Sequence, residues 1–287
     1  MPELPEVETV RLGLNQNTLG RQIRGGEVLL PRTVAYPNLP TDFLSALAEA
    51  AFVEWHRRGK YLLGELSNQS WLGVHLRMTG SLRWCDATTE VHKHTRVRLF
   101  LDGDRELRFD DQRTFGQMWW VPQDTAPETI ITGLQNLGIE PFDPQFTPDY
   151  LAKHLQGHGG THPARSRPIK NALLDQAIVA GIGNIYADEC LFLSKIHPRQ
   201  SASSLDEANL IALHQAIIQV LQAGIAKGGT TFSDFRDLGG DKGNYIDTAW
   251  VFRRTGQPCR VCQTAIERIK LAGRSSHFCP QCQPLQH

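Results

Sequence analysis

Four cysteines near the C-terminus constrain the fold of this 287-residue chain more than any other feature. They form two Cys-x-x-Cys pairs, Cys259 with Cys262 and Cys279 with Cys282, and sixteen residues separate the pairs. Each pair can chelate one side of a tetrahedral metal ion, and sixteen residues suffice for a hairpin between the pairs. The spacing predicts one structural Zn²⁺ whose four thiolate ligands leave no open position. A redox pair and an iron–sulfur site are the alternatives.

Charge is balanced over the whole chain but not along it. The 30 Lys and Arg residues equal the 30 Asp and Glu residues, which by itself argues against a nucleic-acid-binding protein. Residues 151–170 and 253–274 are nevertheless strongly basic, as phosphate binding requires, although a solvated surface has the same composition. No run of 18 apolar residues predicts a transmembrane helix, and the prolines and acids of the first eight residues argue against a secretory signal.

The hydrophobic pattern changes from strands to helices along the chain. Residues 1–14 predict a helix with one apolar face, and residues 21–121 predict mostly strands, in which apolar and polar side chains alternate. Three prolines open the weakly periodic stretch 141–160, which predicts a linker. This order indicates an α+β protein with more than one domain.

Helices are predicted beyond the linker. Residues 171–180 are apolar with a helical pattern, and a double-glycine turn separates them from a second helix that begins at Asn184. Amides at such a helix start can bind an anion, although a plain N-cap is the alternative for Asn184. Ser204 and Glu207 match a capping box in front of a long apolar helix.

The N-terminal residues carry a possible nucleophile. If Met1 is removed, the ring nitrogen of Pro2 becomes a free secondary amine that is followed directly by the carboxylate of Glu3. An α-amine has a pKa of about 7.7–8.0, so a useful fraction is unprotonated near neutral pH. An ordinary exposed terminus is the alternative interpretation.

Six ordered motifs resemble those of the bacterial formamidopyrimidine-DNA glycosylases, and the resemblance spans essentially the whole chain. The motifs are Pro2-Glu3-Leu4-Pro5-Glu6, Arg58-Gly59-Lys60-Tyr61-Leu62-Leu63, His75-Leu76-Arg77-Met78-Thr79-Gly80, Gln112-Arg113-Thr114-Phe115-Gly116, residues 181–187 and the cysteine ribbon. The resemblance implies an N-terminal β-sandwich flanked by helices, a helix–two-turn–helix bundle and a four-cysteine zinc-ribbon hairpin. It implies a catalytic domain at 1–140, a linker at 141–160, a DNA-binding domain at 161–249 and a zinc finger at 250–287.

The resemblance also implies catalytic roles for four residues. Pro2 would attack C1′ of the damaged nucleotide and expel the base, which leaves a cationic iminium at the sugar. Glu3 would protonate the ring oxygen of the sugar as the ring opens. Lys60 would assist β-elimination, and Arg274 would contact phosphate and assist δ-elimination.

Further residues match DNA-binding positions of the family. By resemblance, His75 and Asn184 would bind phosphate, His94 and Arg165 would touch DNA, and Met78, Arg113 and Phe115 would fill the space left by a flipped nucleotide. Nucleotide flipping costs a few kcal/mol, so the hole must be occupied. The arginine of this set would pair with the orphaned base and favour cytosine there. Ordinary core and surface positions are the alternative for each of these side chains.

The resemblance predicts a monomeric glycosylase and abasic-site lyase of base excision repair. Its substrate would be duplex DNA that contains 8-oxoguanine or formamidopyrimidines, and its place would be the bacterial cytoplasm at the nucleoid, with no membrane partner. An endonuclease VIII-like enzyme for oxidised pyrimidines is one alternative, against which Leu4, Met78 and the Arg113–Phe115 pair argue. A silent DNA-binding protein on the same fold is another, and it would not need Pro2, Glu3 or Lys60.

Overall fold

A computed structural model describes residues 1–156, 167–231 and 236–285. By their internal contacts these residues form two compact units. The first unit contains residues 1–136 and 227–244, and the second contains 137–226 and 245–287. The chain therefore returns to its first unit after most of the second has been formed.

Two β-sheets and a long helix dominate the first unit. The helices are α1 (Leu4–Thr18), α2 (Pro40–Leu47) and α3 (Pro127–Ile130), and the strands are β1 (Ile23–Val28), β2 (Val34–Tyr36), β3 (Phe52–Arg58), β4 (Tyr61–Leu66), β5 (Trp71–His75), β6 (Gly80–Asp86), β7 (Thr95–Leu101), β8 (Arg105–Asp111) and β9 (Gln117–Val121). One sheet has the order β1-β7-β8-β6, and the other has the order β2-β9-β5-β4-β3. All pairs are antiparallel except β2 with β9, which is parallel.

Both sheets and α1 contribute to one apolar core. Val97 of β7, Leu72 of β5 and Val10 of α1 belong to the same cluster of fully buried side chains. The alternation that predicted β7 is observed, because Val97, Leu99 and Leu101 are buried, whereas the intervening Arg96, Arg98 and Phe100 are half-buried. The predicted first helix is also observed as α1, with Pro5 in the first turn, where proline costs no hydrogen bond.

Residues 236–244 pack on the first unit. The amide of Trp84 in β6 donates to the carbonyl of Leu238 over 3.1 Å, and Leu238 joins the same core cluster. Gly13 of α1 lies directly beneath, because a Cβ at this position would approach Leu238 Cβ to 3.1 Å. Leu238 thus anchors residues 236–244 to the core of the first unit.

Helices and a two-stranded hairpin form the second unit. The helices are α4 (Pro148–Leu155), α5 (Ile169–Leu173), α6 (Asn184–Leu193), α7 (Glu207–Ala226) and α8 (Tyr245–Thr248), and the hairpin strands are β10 (Glu267–Leu271) and β11 (Arg274–Phe278). With the sheets of the first unit and the cysteine cluster, these elements confirm the predicted α+β class. Short 3₁₀ turns occupy Pro31–Thr33, Thr132–Leu134 and Ala202–Ser204.

Two helix predictions in this unit are wrong. Only α5 is helical within the region predicted at 171–180, because the Asp175 carboxylate accepts the amide of Ala177 over 3.0 Å and fixes a turn instead. The long helix is not preceded by the predicted capping box of Ser204 and Glu207. Its first turn is capped by Asp206, whose side chain accepts the amide of Asn209 over 2.7 Å.

One described helix, α7, is long and apolar enough to cross a membrane by length and composition alone. A single helix of this kind is weak evidence, because the core helix of a water-soluble protein passes the same test. This helix packs against α4 and α6 within its own unit and buries one face that includes Leu213, Ile217 and Leu221.

Candidate active site and metal centre

The N-terminus is built into the first unit. Pro2 and Glu3 are buried immediately before α1, where the positive end of the helix favours a carboxylate. The amide of Glu3 donates to Glu6 Oε2 over 2.8 Å, and Glu6 Oε1 accepts the amide of Thr230 over 2.6 Å. Glu6 therefore joins the start of the chain to the segment that returns after α7.

Charged groups surround the terminal amine. Burial is the main cause that lowers the pKa of the Met1 amine below its ordinary value. Glu3 and Glu6 oppose this shift, whereas Lys60 and Arg113 add to it. The terminus thus lies within electrostatic reach of two predicted catalytic residues and one predicted void-filling residue.

Lys60 occupies the tight turn between β3 and β4. Gly59 has a φ of +56°, which glycine adopts without strain, and Arg58 then pairs with Tyr61 across the turn. The side chain of Lys60 is 7 % exposed, so the turn places an amine in a buried position. Lys60 is consequently not a solvent-exposed lysine, although basic residues precede it in the chain.

His75 ends β5 beside this turn. It pairs with Tyr61 of β4, whose ring meets the imidazole edge-on at 4.4 Å. Arg77 has a φ of +53°, and its amide donates to His75 Nδ1 over 2.9 Å. Because Nδ1 is an acceptor, the proton of the neutral ring lies on Nε2. Burial, then the charges of Arg77 and Lys60, lower the pKa of His75 to about 3.

The low pKa of His75 predicts a specific pH dependence of stability. Between pH 7 and 5 the unfolded chain protonates this histidine, with an ordinary pKa near 6.5, whereas the folded chain, with a pKa of about 3, does not. Stability is therefore lost as the pH falls, and His75→Gln should lose about 2 kcal/mol less than the wild type over this interval. Urea unfolding at both pH values measures the difference, and equal losses would contradict the assignment.

Two loops present the predicted void-filling residues. Met78 is 42 % exposed and Phe115 is 52 % exposed, although both are large apolar side chains. The guanidinium of Arg113 lies 5.0 Å from the centre of the Phe115 ring. A cavity of about 480 Å³ adjoins these loops, and its walls are Met1, Arg32, Arg77, Met78, Thr114, Phe115, Gly116 and Gln117. The structure therefore brings Met78 and Phe115 together with the N-terminus.

His94 lies in a different cavity of the same unit. Its ring centre is 5.1 Å from that of His92, and Arg96 contacts its Nδ1 over 3.2 Å. The cavity has a volume of about 410 Å³ and also includes Arg83 and Arg236 in its walls. Thr79 and Gln112, from the loops of Met78 and Phe115, also line this cavity, so His94 lies next to those loops and outside the cavity that contains Met1. Arg165 lies outside the described residues.

Asn184 is the first residue of α6, directly after the double-glycine turn. Gly181 has a φ of +93°, which explains a glycine at this position. The backbone carbonyl of Asn184 accepts the ammonium of Lys170 over 2.9 Å. Its side-chain Oδ1 is buried and has no hydrogen-bond partner among the described residues. A buried polar group of this kind calls for a ligand or water that satisfies it.

An aspartate that sequence reasoning did not identify joins the helices to the ribbon. Asp188 in α6 pairs with the buried ammonium of Lys170 in α5. Its other oxygen accepts the amide and Nδ1 of His277 in β11, both over 3.0 Å. Arg274, exposed at the start of the same strand, is thereby held in a fixed register relative to α6.

The next residue of α6, Glu189, fixes the segment that leads into the cysteine ribbon. Glu189 accepts the amides of Trp250, Val251 and Phe252 over 2.7, 3.0 and 2.9 Å, and burial raises its pKa. In the sequence, the signal for Asp188 and Glu189 was that they are adjacent acids in an otherwise apolar helix, because buried acids require partners. No spacing rule in the sequence gives the identity of those partners.

The four cysteines converge as predicted. Their sulfurs all lie within 4.8 Å of one another, with Cys262 and Cys279 at 3.4 Å and Cys259 and Cys282 at 3.9 Å. The edge of a tetrahedron with Zn–S bonds of about 2.3 Å is about 3.8 Å, so the cluster fits one Zn²⁺. Amides of Val261 and Cys282 approach sulfurs over 3.4 Å and stabilise thiolates.

Comparison with known proteins gives three matching family models. The formamidopyrimidine-DNA glycosylase N-terminal domain matches residues 1–118, the H2TH domain of the same enzymes matches 137–236, and a zinc finger found in FPG and IleRS matches 256–285. The formamidopyrimidine-DNA glycosylase of Acaryochloris marina is 59 % identical, and the alignment covers 99 % of each chain.

Solved structures agree over the same length. A mutant Lactococcus lactis FPG in complex with Fapy-dG-containing DNA has a TM-score of 0.89 at 34 % identity, covering 99 % of this chain and 100 % of that one. The wild-type Lactococcus lactis protein in complex with DNA that contains an oxidised pyrimidine has a TM-score of 0.88 at the same identity and coverage.

Proposed function

Because the chain belongs to the formamidopyrimidine-DNA glycosylase family, a family of DNA glycosylases with abasic-site lyase activity, we propose that it removes oxidised purines from duplex DNA and then cleaves the strand. One observation carries the proposal for the site. In the first unit the terminal amine lies within electrostatic reach of the buried Glu3 and of the buried Lys60. A nucleophile, an acid and a second amine are the groups that this reaction needs.

The Pro2 nitrogen is the proposed nucleophile. It forms a bond to C1′ of the damaged nucleotide, and the electrons of the glycosidic bond leave with the base. The Pro2 nitrogen loses its own proton to solvent, and Glu3 gives a proton to the ring oxygen as the C1′–O4′ bond breaks, which leaves an iminium between Pro2 and C1′. Loss of a proton from C2′ then expels the 3′ phosphate, and a second elimination releases the 5′ phosphate. We assign assistance in these eliminations to Lys60 and Arg274.

Removal of Met1 is a condition of this chemistry. The printed sequence begins with Met1, which makes the Pro2 nitrogen an amide without nucleophilic character. Burial lowers the pKa of the amine at the present terminus. A similar setting for the Pro2 amine supports a larger unprotonated fraction at neutral pH.

The remaining predicted residues are proposed to bind DNA. A neutral Nε2–H on His75 suits a phosphate oxygen. Asn184 is retained as a phosphate contact on the resemblance, because its unpartnered Oδ1 is an acceptor and suits a donor instead. Arg274 supplies a charge, and Arg165 and His94 are retained as contacts on the resemblance alone. Exposed Met78, Arg113 and Phe115 are proposed to occupy the helix when a nucleotide is flipped out.

The Zn²⁺ has a structural role. Cys259, Cys262, Cys279 and Cys282 fill its four positions, so it has no site for substrate or water. When Zn²⁺ is bound, it fixes the conformation of the hairpin that carries Arg274. The enzyme is proposed to act as a monomer on damaged duplex DNA in the bacterial cytoplasm, where the nucleoid provides its substrate.

Preference for oxidised purines over oxidised pyrimidines is the finer part of the proposal. Leu4 and the set Met78, Arg113 and Phe115 support it, because they resemble the purine-specific branch. The related Lactococcus lactis protein has been solved with DNA of both kinds, so an endonuclease VIII-like preference is the second candidate.

Borohydride trapping tests the function directly. Protein whose mass shows removal of Met1 should form a covalent adduct with duplex that contains 8-oxoguanine opposite cytosine, because reduction fixes the iminium. The same duplex with guanine is the matched control and should give none. Absence of an adduct would refute the lyase proposal, whereas a much larger adduct with thymine glycol would assign the pyrimidine preference.

A further inference from the structure

We propose that Asp111 is a positioning residue that holds together the two loops carrying Met78, Arg113 and Phe115. Asp111 is the last residue of β8 and lies opposite Gly80 at the start of β6. The two loops leave the sheet at this pair. The inference rests on the proposed function, because it concerns how the void-filling residues are presented to DNA.

One carboxylate closes the loop that contains Arg113 and Phe115. Asp111 Oδ2 accepts the amide of Gly116 over 2.7 Å, and Oδ1 accepts the amide of Arg113 over 3.2 Å. The loop therefore begins and ends on the same side chain. Within it, Thr114 has a φ of +58°, a conformation that a β-branched residue keeps only when its surroundings fix it.

The same carboxylate reaches the loop that contains Met78. The hydroxyl of Thr79 donates to Asp111 Oδ1 over 2.5 Å. That hydroxyl oxygen also accepts the amide of Arg113 over 2.9 Å. Thr79 follows Met78 in the chain. Its hydroxyl is therefore hydrogen-bonded both to the carboxylate of Asp111 and to the amide of Arg113.

Close packing leaves this link little freedom. Asp111 is 1 % exposed, so its acceptors cannot be replaced by bulk water. A Cβ on Gly116 would lie 2.4 Å from Phe109 and 3.1 Å from Asp111 Oδ2, which explains the absence of a side chain there. Loss of the carboxylate would leave the buried amide of Gly116 without this acceptor and release the loop.

A fixed link matters because the three exposed side chains must enter the base stack together. In the free protein Arg113 already lies over the Phe115 ring at 5.0 Å. A displacement of about 1 Å at such a site can cost about 100-fold in rate. Asp111 touches none of the reacting atoms in this proposal, and it acts through Arg113, Phe115 and Met78.

A matched pair of threonines provides the test. Thr79→Val keeps the shape but removes the hydroxyl that joins Asp111 to Arg113. Thr95→Val is the control, because the buried Thr95 makes the equivalent bond, over 2.6 Å, to the neighbouring Asp110. Thr79→Ser keeps the hydroxyl and should therefore keep function. Asp111→Ala removes the whole link.

The readout is excision of 8-oxoguanine opposite cytosine compared with adenine, with melting temperature and adduct formation on a single-stranded abasic oligonucleotide measured alongside. We expect Thr79→Val and Asp111→Ala to excise 8-oxoguanine opposite cytosine about 10-fold or more slowly than the wild type. Both variants should discriminate less between cytosine and adenine. Their adduct formation on the single strand should stay within about 3-fold of the wild type. Thr95→Val and Thr79→Ser should match the wild type.

Two outcomes would overturn the inference. One is equal behaviour of Thr79→Val and Thr95→Val, and the other is a uniform loss on both duplexes and on the single strand. If Asp111→Ala does not fold, the threonine variants decide alone. A wild-type protein that forms no adduct on any DNA would instead refute the proposed function.

Discussion

One extra residue in front of Pro2 should abolish both base excision and covalent trapping. Acylation converts the ring nitrogen into an amide, whose lone pair is delocalised and cannot attack C1′. Removal of a nucleophile commonly costs several orders of magnitude, so we expect a loss of at least about 1,000-fold.

The experiment compares protein with a free Pro2 amine, protein with one added N-terminal glycine, and protein with one glycine added at the C-terminus. Intact mass verifies each terminus, and single-turnover excision of 8-oxoguanine gives the rates. The C-terminal addition should match the unmodified enzyme. Normal adduct formation by the N-terminally extended protein would exclude Pro2 and transfer the nucleophile to another amine, with Lys60 the first candidate.

Local signals predicted much of the first unit correctly. Alternating apolar residues identified β7, and Pro5 with the apolar face of Val7, Val10 and Leu14 identified α1. These elements were accessible because each depends on its own residues and on burial of one face. The pairing of β1 with β7, by contrast, depends on contacts across some seventy residues and no local pattern contains it.

Helix termini were less accessible in the second unit. Asp206, not Ser204, caps α7, and Asp175 fixes a turn where the apolar residues after α5 predicted that the helix continues. In both cases a short polar side chain competes for backbone amides. Several such side chains stood close together in the sequence, and only the folded backbone determines which one bonds.

The candidate site shows the same division. Spacing alone identified the four cysteines, whose sulfurs do converge, and the resemblance supplied the roles of Pro2, Glu3 and Lys60. It did not supply Asp111, Asp188 or Glu189, which bond mainly to backbone amides or to residues distant in the chain. Residues of this kind have no sequence motif, because their hydrogen-bond partners are mainly backbone groups that only the folded chain brings close.

Loss of the Zn²⁺ should unfold the ribbon and remove most DNA affinity. The core around the cysteines is small: Phe192, Val251 and Ile266 are the buried hydrophobic residues in this cluster besides Cys259 and Cys279. Binding of a structural Zn²⁺ contributes roughly 10–16 kcal/mol, far more than such a core can provide. Without it, the hairpin that presents Arg274 would have no fixed structure.

Cys279→Ala is the sharpest form of this test, and Cys85→Ala is its matched control, because Cys85 is a buried cysteine of the first unit and is not one of the four clustered cysteines. The first variant should contain no zinc and should bind damaged duplex at least about 100-fold more weakly, since the charge at Arg274 and the register set by Asp188 and His277 are lost together. The control should keep one zinc per chain and its affinity. Full affinity in zinc-free protein would show that the ribbon is dispensable for binding and that Arg274 acts, if at all, only after the DNA is held by the rest of the chain.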